Sequence, residues 1–488
     1  MDWREAVGPM RMQRVAVVAP GGRLRDVLVQ VAGLGTVELD RPEGRDGGAG
    51  GEPPGPAAVL LRRLAGAADV TPRISAAGPE LDAWVRDGRT DLVAGEADLE
   101  SYLAAALRAG RAAALAGWVP HAELAVLADR LAGVGGGVVP IARPVAQDPP
   151  TLLRPGGRLR RSLVPLVQTY ATVPYRDLDP TWPAGLAYVV MFGMMFGDVG
   201  HGALLVIGGL LLLAGRPARL APFHRAWLLV LGAGVAATLF GFLFGEFFGP
   251  TGVVPVLWLE PLAEPVILLG AAVGVGAALL AAAYVVGAVN RWREGGWPLA
   301  LVAASGLAGA ALFAGLGVVL LGVVLDRTWL VALGSLVAGT GVVLAFVGFL
   351  AGTSGGAAGV TQATIELFDT VLRLGTNLVS FARLAAFGLT HAALGLVVWE
   401  ATVGLWDRGG VLVPAAVVVF VAGNAVTFTL EALVAGVQAL RLEYYELFSR
   451  VFASAGRPFR PWHVPLDEPA AVPPSAGPRL APTARRNP

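Results

Sequence analysis

Two runs of polar residues in the last quarter of the sequence have the spacing of a helical face. In the later run, Asn424, Thr427, Glu431, Gln438 and Arg441 follow at intervals of 3, 4, 7 and 3 residues, which stacks them on one side of an α-helix. That face is about 25 Å long at ~1.5 Å per residue, close to the thickness of a bilayer's hydrocarbon core. In the earlier run, Glu366, Asp369, Arg373, Asn377, Ser380, Arg383 and Thr390 repeat every three or four residues or a multiple, with His391 beside Thr390. A charge at the centre of a bilayer costs at least about 2.5–3.5 kcal/mol, so such residues face a water-filled cavity or a partner. Two facing stripes therefore predict an aqueous path for a small ion. Arg383 lies between Phe381, Ala382 and Leu384, Ala385, Ala386, Phe387, which leaves its guanidinium no short route to bulk water along the chain. The group keeps its charge there. A fixed cation lowers the pKa of a carboxylate that moves beside it and favours release of its proton. A simpler reading, with Glu431 and Arg441 reaching opposite surfaces and Arg383 in a structural ion pair, suits a lone charge better than two aligned stripes.

Such stripes need long helices in an apolar medium, and the composition supplies one. The chain has 488 residues, of which 55% are hydrophobic and 15% charged, against roughly 25% charged in soluble domains. Residues 1–180 hold most of the Asp, Glu and Arg, while 184–452 are dominated by Leu, Val, Ala, Gly and Phe. Apolar stretches near 184–214, 226–248, 265–289, 298–325, 329–351, 361–402 and 411–452 each reach the roughly 20 residues a crossing requires. Seven spans are expected, the last two long. Ahead of them, residues 12–40 read as strand, helix and strand, a small α/β lobe; 41–58 are a Gly- and Pro-rich linker; 59–114 read as helical; and a second α/β element has a helix at 121–133 and a strand near 137–142. Pro-punctuated residues 143–183 lead into the membrane. The Pro- and Arg-rich tail, 453–488, is expected to be without order. The expected organisation is an α/β domain at 1–183, a transmembrane domain at 184–452 and the tail.

Several functions are excluded. All 37 basic residues are Arg, so no GxxxxGK[ST] phosphate loop exists. There is no Cys, which removes disulfides, Cys-ligated zinc and thiol nucleophiles. A net charge of +1 points to no nucleic-acid partner. The opening residues carry early acids and no long apolar core, unlike a secretory signal, so the N-terminal domain is expected in the cytoplasm. The Arg-only, Ala-, Gly- and Val-rich usage fits a prokaryote with a GC-rich genome. Asp198 and His201, spaced i and i+3, could hold a metal or a proton, but Gly193, Gly197, Gly200 and Gly202 around them favour close helix packing. MFGD lacks the first Gly of the intramembrane aspartyl protease motif, and no second catalytic Asp motif appears. Glu246 reads as interfacial, and His121, His224 and His463 stand alone.

TNLVSFARLAAFGLTHAAL at 376–394 and LEALVAGVQALRLEYYELFSRVF at 430–452 resemble two signatures of the V/A-type ATPase subunit a or subunit I family, the V-type ATPase 116 kDa subunit family. MFGMMFGDVGHG at 191–202, LFGEFFG at 243–249 and, in the soluble part, RVAVVAP, LGTVELD, AGWVP, PPTLL and VPYRDLDPT are similar to further family motifs in family order. The expected fold is an N-terminal α/β cytoplasmic domain followed by an all-α polytopic membrane domain of seven to eight transmembrane helices, the last two long and tilted. Seven is the count from the apolar stretches, and the resemblance implies eight with both termini cytoplasmic. It also implies a function, that of a non-catalytic stator subunit in the cell membrane. Such a subunit conducts protons against a rotating proteolipid c-ring, contacts peripheral stalk and central-stalk-linked subunits, and needs neither cofactor nor metal. Arg383, His391, Glu431, Arg441 and Glu446 take family positions, and Ser380, Asn424, Thr427 and Gln438 line the same stripes. Two departures stand out. Only about 55 residues are left for the paired-helix arm, and Gln438 replaces the family's His, exchanging a titratable group for a neutral one. A stand-alone secondary transporter and a structural anchor for a stalk complex are the competing readings. The first predicts interrupted helices in both halves, and the second has no use for buried stripes.

Overall fold

The computed structural model describes residues 8–40, 55–64, 70–143, 148–154, 156–216, 218–452 and 455–467. It divides into two units, one formed by Met10–Leu152 with the segment from Pro458, the other by Leu153–Arg457. Residues 153–183, expected in the α/β domain, thus belong with the helical unit.

In the first unit, strand β1 (Met12–Pro20) alternates buried and part-buried residues, with Val15 and Val17 fully inside. Helix α1 (Leu24–Leu34) and strand β2 (Glu38–Leu39) follow, then α2 (Pro56–Arg63), β3 (Ile74–Ser75), α3 (Leu81–Arg86), α4 (Thr90–Ala105), β4 (Leu107–Ala109), β5 (Ala112–Pro120), α5 (Leu124–Ala132) and β6 (Gly137–Pro140). The two α/β elements are not separate lobes. β1 pairs antiparallel with β5 from Met12 opposite Pro120 to Pro20 opposite Ala112, giving the order β2-β5-β1-β6, the split βαβ arrangement of ferredoxin-like folds. Leu24, Val27, Leu28 and Val31 of α1 and Leu127 and Leu131 of α5 share one core with Val15, Val17, Leu115 and Val119. The helix expected through 114 ends at Ala105. High Ala propensity yields there to a two-residue hairpin turn at Gly110-Arg111, where Gly110 has a φ of 58° that a side chain disfavours, and Ala109 faces Ala112. Arg25 on α1 makes a two-pronged ion pair with buried Glu96 on α4, at 2.9 and 2.7 Å, and Glu100 accepts from the first amides of α2 at 3.0 and 3.1 Å.

The tail corrects another expectation. Residues 458–467 pack into this unit, while 468–488 and linker residues 41–54 lie outside the described residues. Buried Trp462 sits 4.6 Å from the Tyr102 ring and donates its indole N–H to Asp98 at 2.7 Å. Strand β7 (Leu466–Asp467) runs parallel to β3, and Arg89 donates to both Asp91 and Asp467 at 2.9 Å. An apolar indole with one satisfied N–H outweighs the disorder that Pro and Arg favour.

The second unit holds α6 (Arg158–Tyr170), α7 (Thr181–Met195), α8 (Val199–Leu213), α9 (Trp227–Phe244), α10 (Pro265–Val302), α11 (Leu307–Val324), α12 (Thr328–Ala351), α13 (Gly356–Ser380), α14 (Ala382–Trp406) and α15 (Val413–Leu442). Among the described residues six helical stretches are long and apolar enough to cross a membrane, and α7 and α8 are shorter apolar helices of 15 residues each. The single span expected at 184–214 is therefore two helices, parted where Asp198 leaves helical geometry and caps α8. The span expected from 298 begins at Leu307, because residues up to Val302 complete α10 beyond a kink at Gly296. The last two segments are long, as expected, the first broken at Phe381. Helices α8 and α9 touch backbone to backbone. A Cβ on Gly202 would lie 2.6 Å from the Thr238 nitrogen, the close approach that the glycines of this segment predict.

Two measurements on the full chain test the first unit. Trp462→Ala is expected to lower its stability by about 3–5 kcal/mol, read as faster hydrogen exchange of α1 and α4 amides; unchanged exchange would show that the tail only rests on the surface. The Asp91 carboxylate is held below its ordinary value chiefly by the Arg89 hydrogen bond. Its stabilising effect is complete above about pH 4 and is lost as pH falls through the lowered value. The loss of β3 and β7 protection in Arg89→Ala should therefore be larger at about pH 7 than at about pH 2. A difference independent of pH would mean that Asp91 does not share the contact.

Candidate functional site

Arg383 stands two residues beyond the break between α13 and α14. Its Nε donates to the Ser380 carbonyl at 3.1 Å, and its guanidinium lies 3.6 Å from Glu446. Glu446 reaches it because α15 runs into a π-helical turn over Glu443–Phe448. On a regular helix, five residues would carry Glu446 about 140° round from Arg441; the widened turn brings it back towards that face, a common device at functional sites. With its amide oriented to fit its neighbours, Asn377 donates to Glu446 at 2.8 Å and accepts from Arg450 at 2.9 Å. Ser380, Arg383, Val437, Leu440, Arg441, Tyr444, Tyr445 and Glu446 line a cavity of about 700 Å³. Two cations thus share one cleft with a single carboxylate, and the Arg383 side chain is 27% exposed.

A second polar group lies further along α14. His391, eight residues or about 12 Å beyond Arg383, is buried and its Nδ1 contacts the Glu431 carboxylate of α15. Its Nε2 lies 3.9 Å from Glu246, which follows α9, and its ring packs on Phe196 and His201. Glu246, expected at the interface, is 3% exposed. The extended residues before α8 explain this placement. One Asp198 oxygen accepts from the His201 amide and the other from the Gly249 amide, each at 2.8 Å, and Val199 donates to the Glu246 carbonyl at 2.9 Å, so the two loops are tied together. Among the described residues, the only cationic partners within 4 Å of Asp198, Glu246 and Glu431 are the imidazoles of His201 and His391.

The residues singled out in the sequence fall into two groups. Ser380, Arg383, Arg441 and Glu446 meet at the cleft. His391 and Glu431 meet in the buried cluster, with Thr427 and Asn424 buried on the same face of α15. Gln438 is half-buried between the groups, its side-chain oxygen without a hydrogen-bond partner. Thr390 instead bonds the Ala386 carbonyl and is exposed, as are Asp369 and Arg373, which pair with each other at 2.6 Å. Glu431 and Arg441 form no ion pair. Sequence reasoning undervalued Asp198, His201 and Glu246, although an Asp before a helix start, a His three residues on and a Glu among Gly and Phe were each visible in MFGDVGH and GEFF.

Because His391 and Glu431 share one contact, single replacements should not add. His391→Gln and Glu431→Gln are each expected to lower thermal stability, and the double variant to lose less than the sum, with a coupling of about 0.5–3 kcal/mol. Additive losses would show that the two side chains do not meet.

Residues 106–252 match the V-type ATPase 116 kDa subunit family. The chain is 26% identical over 402 residues to the A-type ATP synthase subunit I of Thermococcus kodakarensis, covering 76% of this chain and 57% of that protein. It is 26% identical over 396 residues to the protein of the same name from Pyrococcus horikoshii, with the same coverage, 76% and 57%. Over 144 residues it is 33% identical to the V-type ATP synthase subunit I 2 of Treponema pallidum, 28% of this chain and 32% of that protein. The chain spans a little over half the length of the archaeal relatives. The matched residues 106–252 include MFGMMFGDVGHG and LFGEFFG, and over about three quarters of its length the chain is similar to proteins named A-type ATP synthase subunit I.

Proposed function

We propose that this chain is the membrane stator subunit of a rotary ATPase, conducting protons past a ring of separate small membrane subunits without hydrolysing ATP itself. The observation that carries the reading is the placement of Arg383. It faces an open cleft at one helix break, while about 12 Å along the same helix lies a buried cluster of His391, Glu431, Glu246 and Asp198. A permanent cation between two polar regions is what a two-channel proton path needs. A ring carboxylate entering the cleft meets Arg383 and Arg441, whose charge favours its ionised form and drives its proton out. Glu446, held by Asn377, keeps the guanidinium aimed when no ring carboxylate is present. The proton then travels by groups that exchange protons readily, an imidazole and carboxylates, with Asn424, Thr427 and Gln438 holding water.

The similarity to proteins named A-type ATP synthase subunit I supports this assignment. In the same reading the split βαβ unit stands in the cytoplasm, where it docks stalk subunits through a shortened arm. The test is transport by the assembled complex in sealed vesicles. Arg383→Lys keeps the charge but loses the planar, weakly hydrated fork, so ATP-driven acidification is expected to fall about tenfold or more with assembly retained. Full acidification by Arg383→Ala would refute the assignment.

A further inference from the structure

We propose that Asp198, His201 and His391, with Glu246 as a fourth ligand, form a binding site for a divalent transition-metal ion of the zinc class. Side-chain donor atoms of Asp198, His201 and His391 all lie within 4.8 Å of one another. Two contacts are tighter: His201 Nδ1 to Asp198 at 3.8 Å, and His391 Nε2 to Glu246 at 3.9 Å. Ligands about 2.0–2.2 Å from a tetrahedral zinc ion stand roughly 3.5 Å apart, so small side-chain rotations would close the shell.

The independent observation is His201 itself. Its side chain is 1% exposed, and although the Asn424 side chain lies beside it, neither ring nitrogen makes a hydrogen bond of good geometry. Buried polar groups are normally satisfied, and a metal would satisfy one nitrogen directly. Charge points the same way, since three carboxylates, Asp198, Glu246 and Glu431, have only two imidazoles as cationic partners among the described residues. Two imidazoles with carboxylates suit zinc, cobalt or nickel, and not the all-oxygen shells of calcium and magnesium. Glu431 at His391 Nδ1 leaves Nε2 free to face the metal and fixes the ring, the carboxylate–histidine pairing of metal sites. Asp198 is in turn fixed by the Gly249 amide.

Zinc added to the purified full-length chain in detergent tests the site. One ion per chain is expected, with X-ray absorption at the zinc edge showing two imidazoles and oxygen ligands, and with affinity falling as pH is lowered because protons compete for the ligands. His201→Gln should abolish this binding, Glu431→Gln should weaken it about 10–100-fold, and a chain lacking His121 and His224 should keep it. No stoichiometric binding, an imidazole-free shell in the unaltered chain, or binding lost with His121 and His224 would overturn the proposal. The absorption measurement needs no variant, so misfolding of one leaves the answer intact. On the proton path proposed above, a loaded site also stops transport. Zinc bound with transport unchanged would remove this cluster from the path while leaving the metal site in place, so the two readings fail separately.

Discussion

In a region this apolar, an ionised side chain needs a counter-charge or water within reach, and the helical unit is arranged around meeting that need for one guanidinium and a few carboxylates. Arg383 has Glu446 at 3.6 Å, and Glu431 and Glu246 have His391. To bring Glu246 there, the chain must turn sharply after α9. To bring Asp198 there, it must interrupt an apolar segment that would otherwise form one helix. Desolvating each charge is expensive, and only well-placed partners offset it. The interruptions at 196–198 and 245–249, the π-helical turn and the break at Phe381 all fall where such partners meet.

The apolar frame makes these placements rigid. Phe196, buried fully, packs between His391, His201 and Phe428, with ring centroids 4.9 to 5.9 Å apart. Gly202 lets α8 and α9 approach until no side chain fits between them, which holds Asp198 against the loop at Gly249. A polar cluster walled by aromatic rings is shut off from bulk water except by narrow routes. The cleft at Arg383 is the opposite case, open and lined by two tyrosines.

Much of this was legible in the sequence because helical periodicity is local. Asn424, Thr427, Glu431 and Arg441 lie on one face since 3.6 residues make a turn, and nothing distant alters that. What the sequence hid depends on long-range pairing. His391, and not the in-register Thr390, meets Glu431, which depends on how α14 packs against α15 and not on the spacing within either helix. The same limit hid the sheet: β1 and β5 are almost a hundred residues apart, and the Ala-rich run between 97 and 118 carries a helical preference that only the Gly110 turn and its pairing partners overrule. Asp198 looked structural because its glycine neighbours are, and it is a cap as well as a member of the cluster.

The tail that seats Trp462 also bears on how the protein is made. The sheet unit consists of residues near the start of the chain and a clasp that follows about three hundred residues of helical unit. At roughly 5–20 residues per second of synthesis, the early part waits on the order of 15–60 s with the groove beside Tyr102 empty and β3 without its partner strand. A polypeptide cut short anywhere in the helical unit never fills that groove. The first unit is therefore closed only after the residues that follow the helical unit have been made and have left the ribosome.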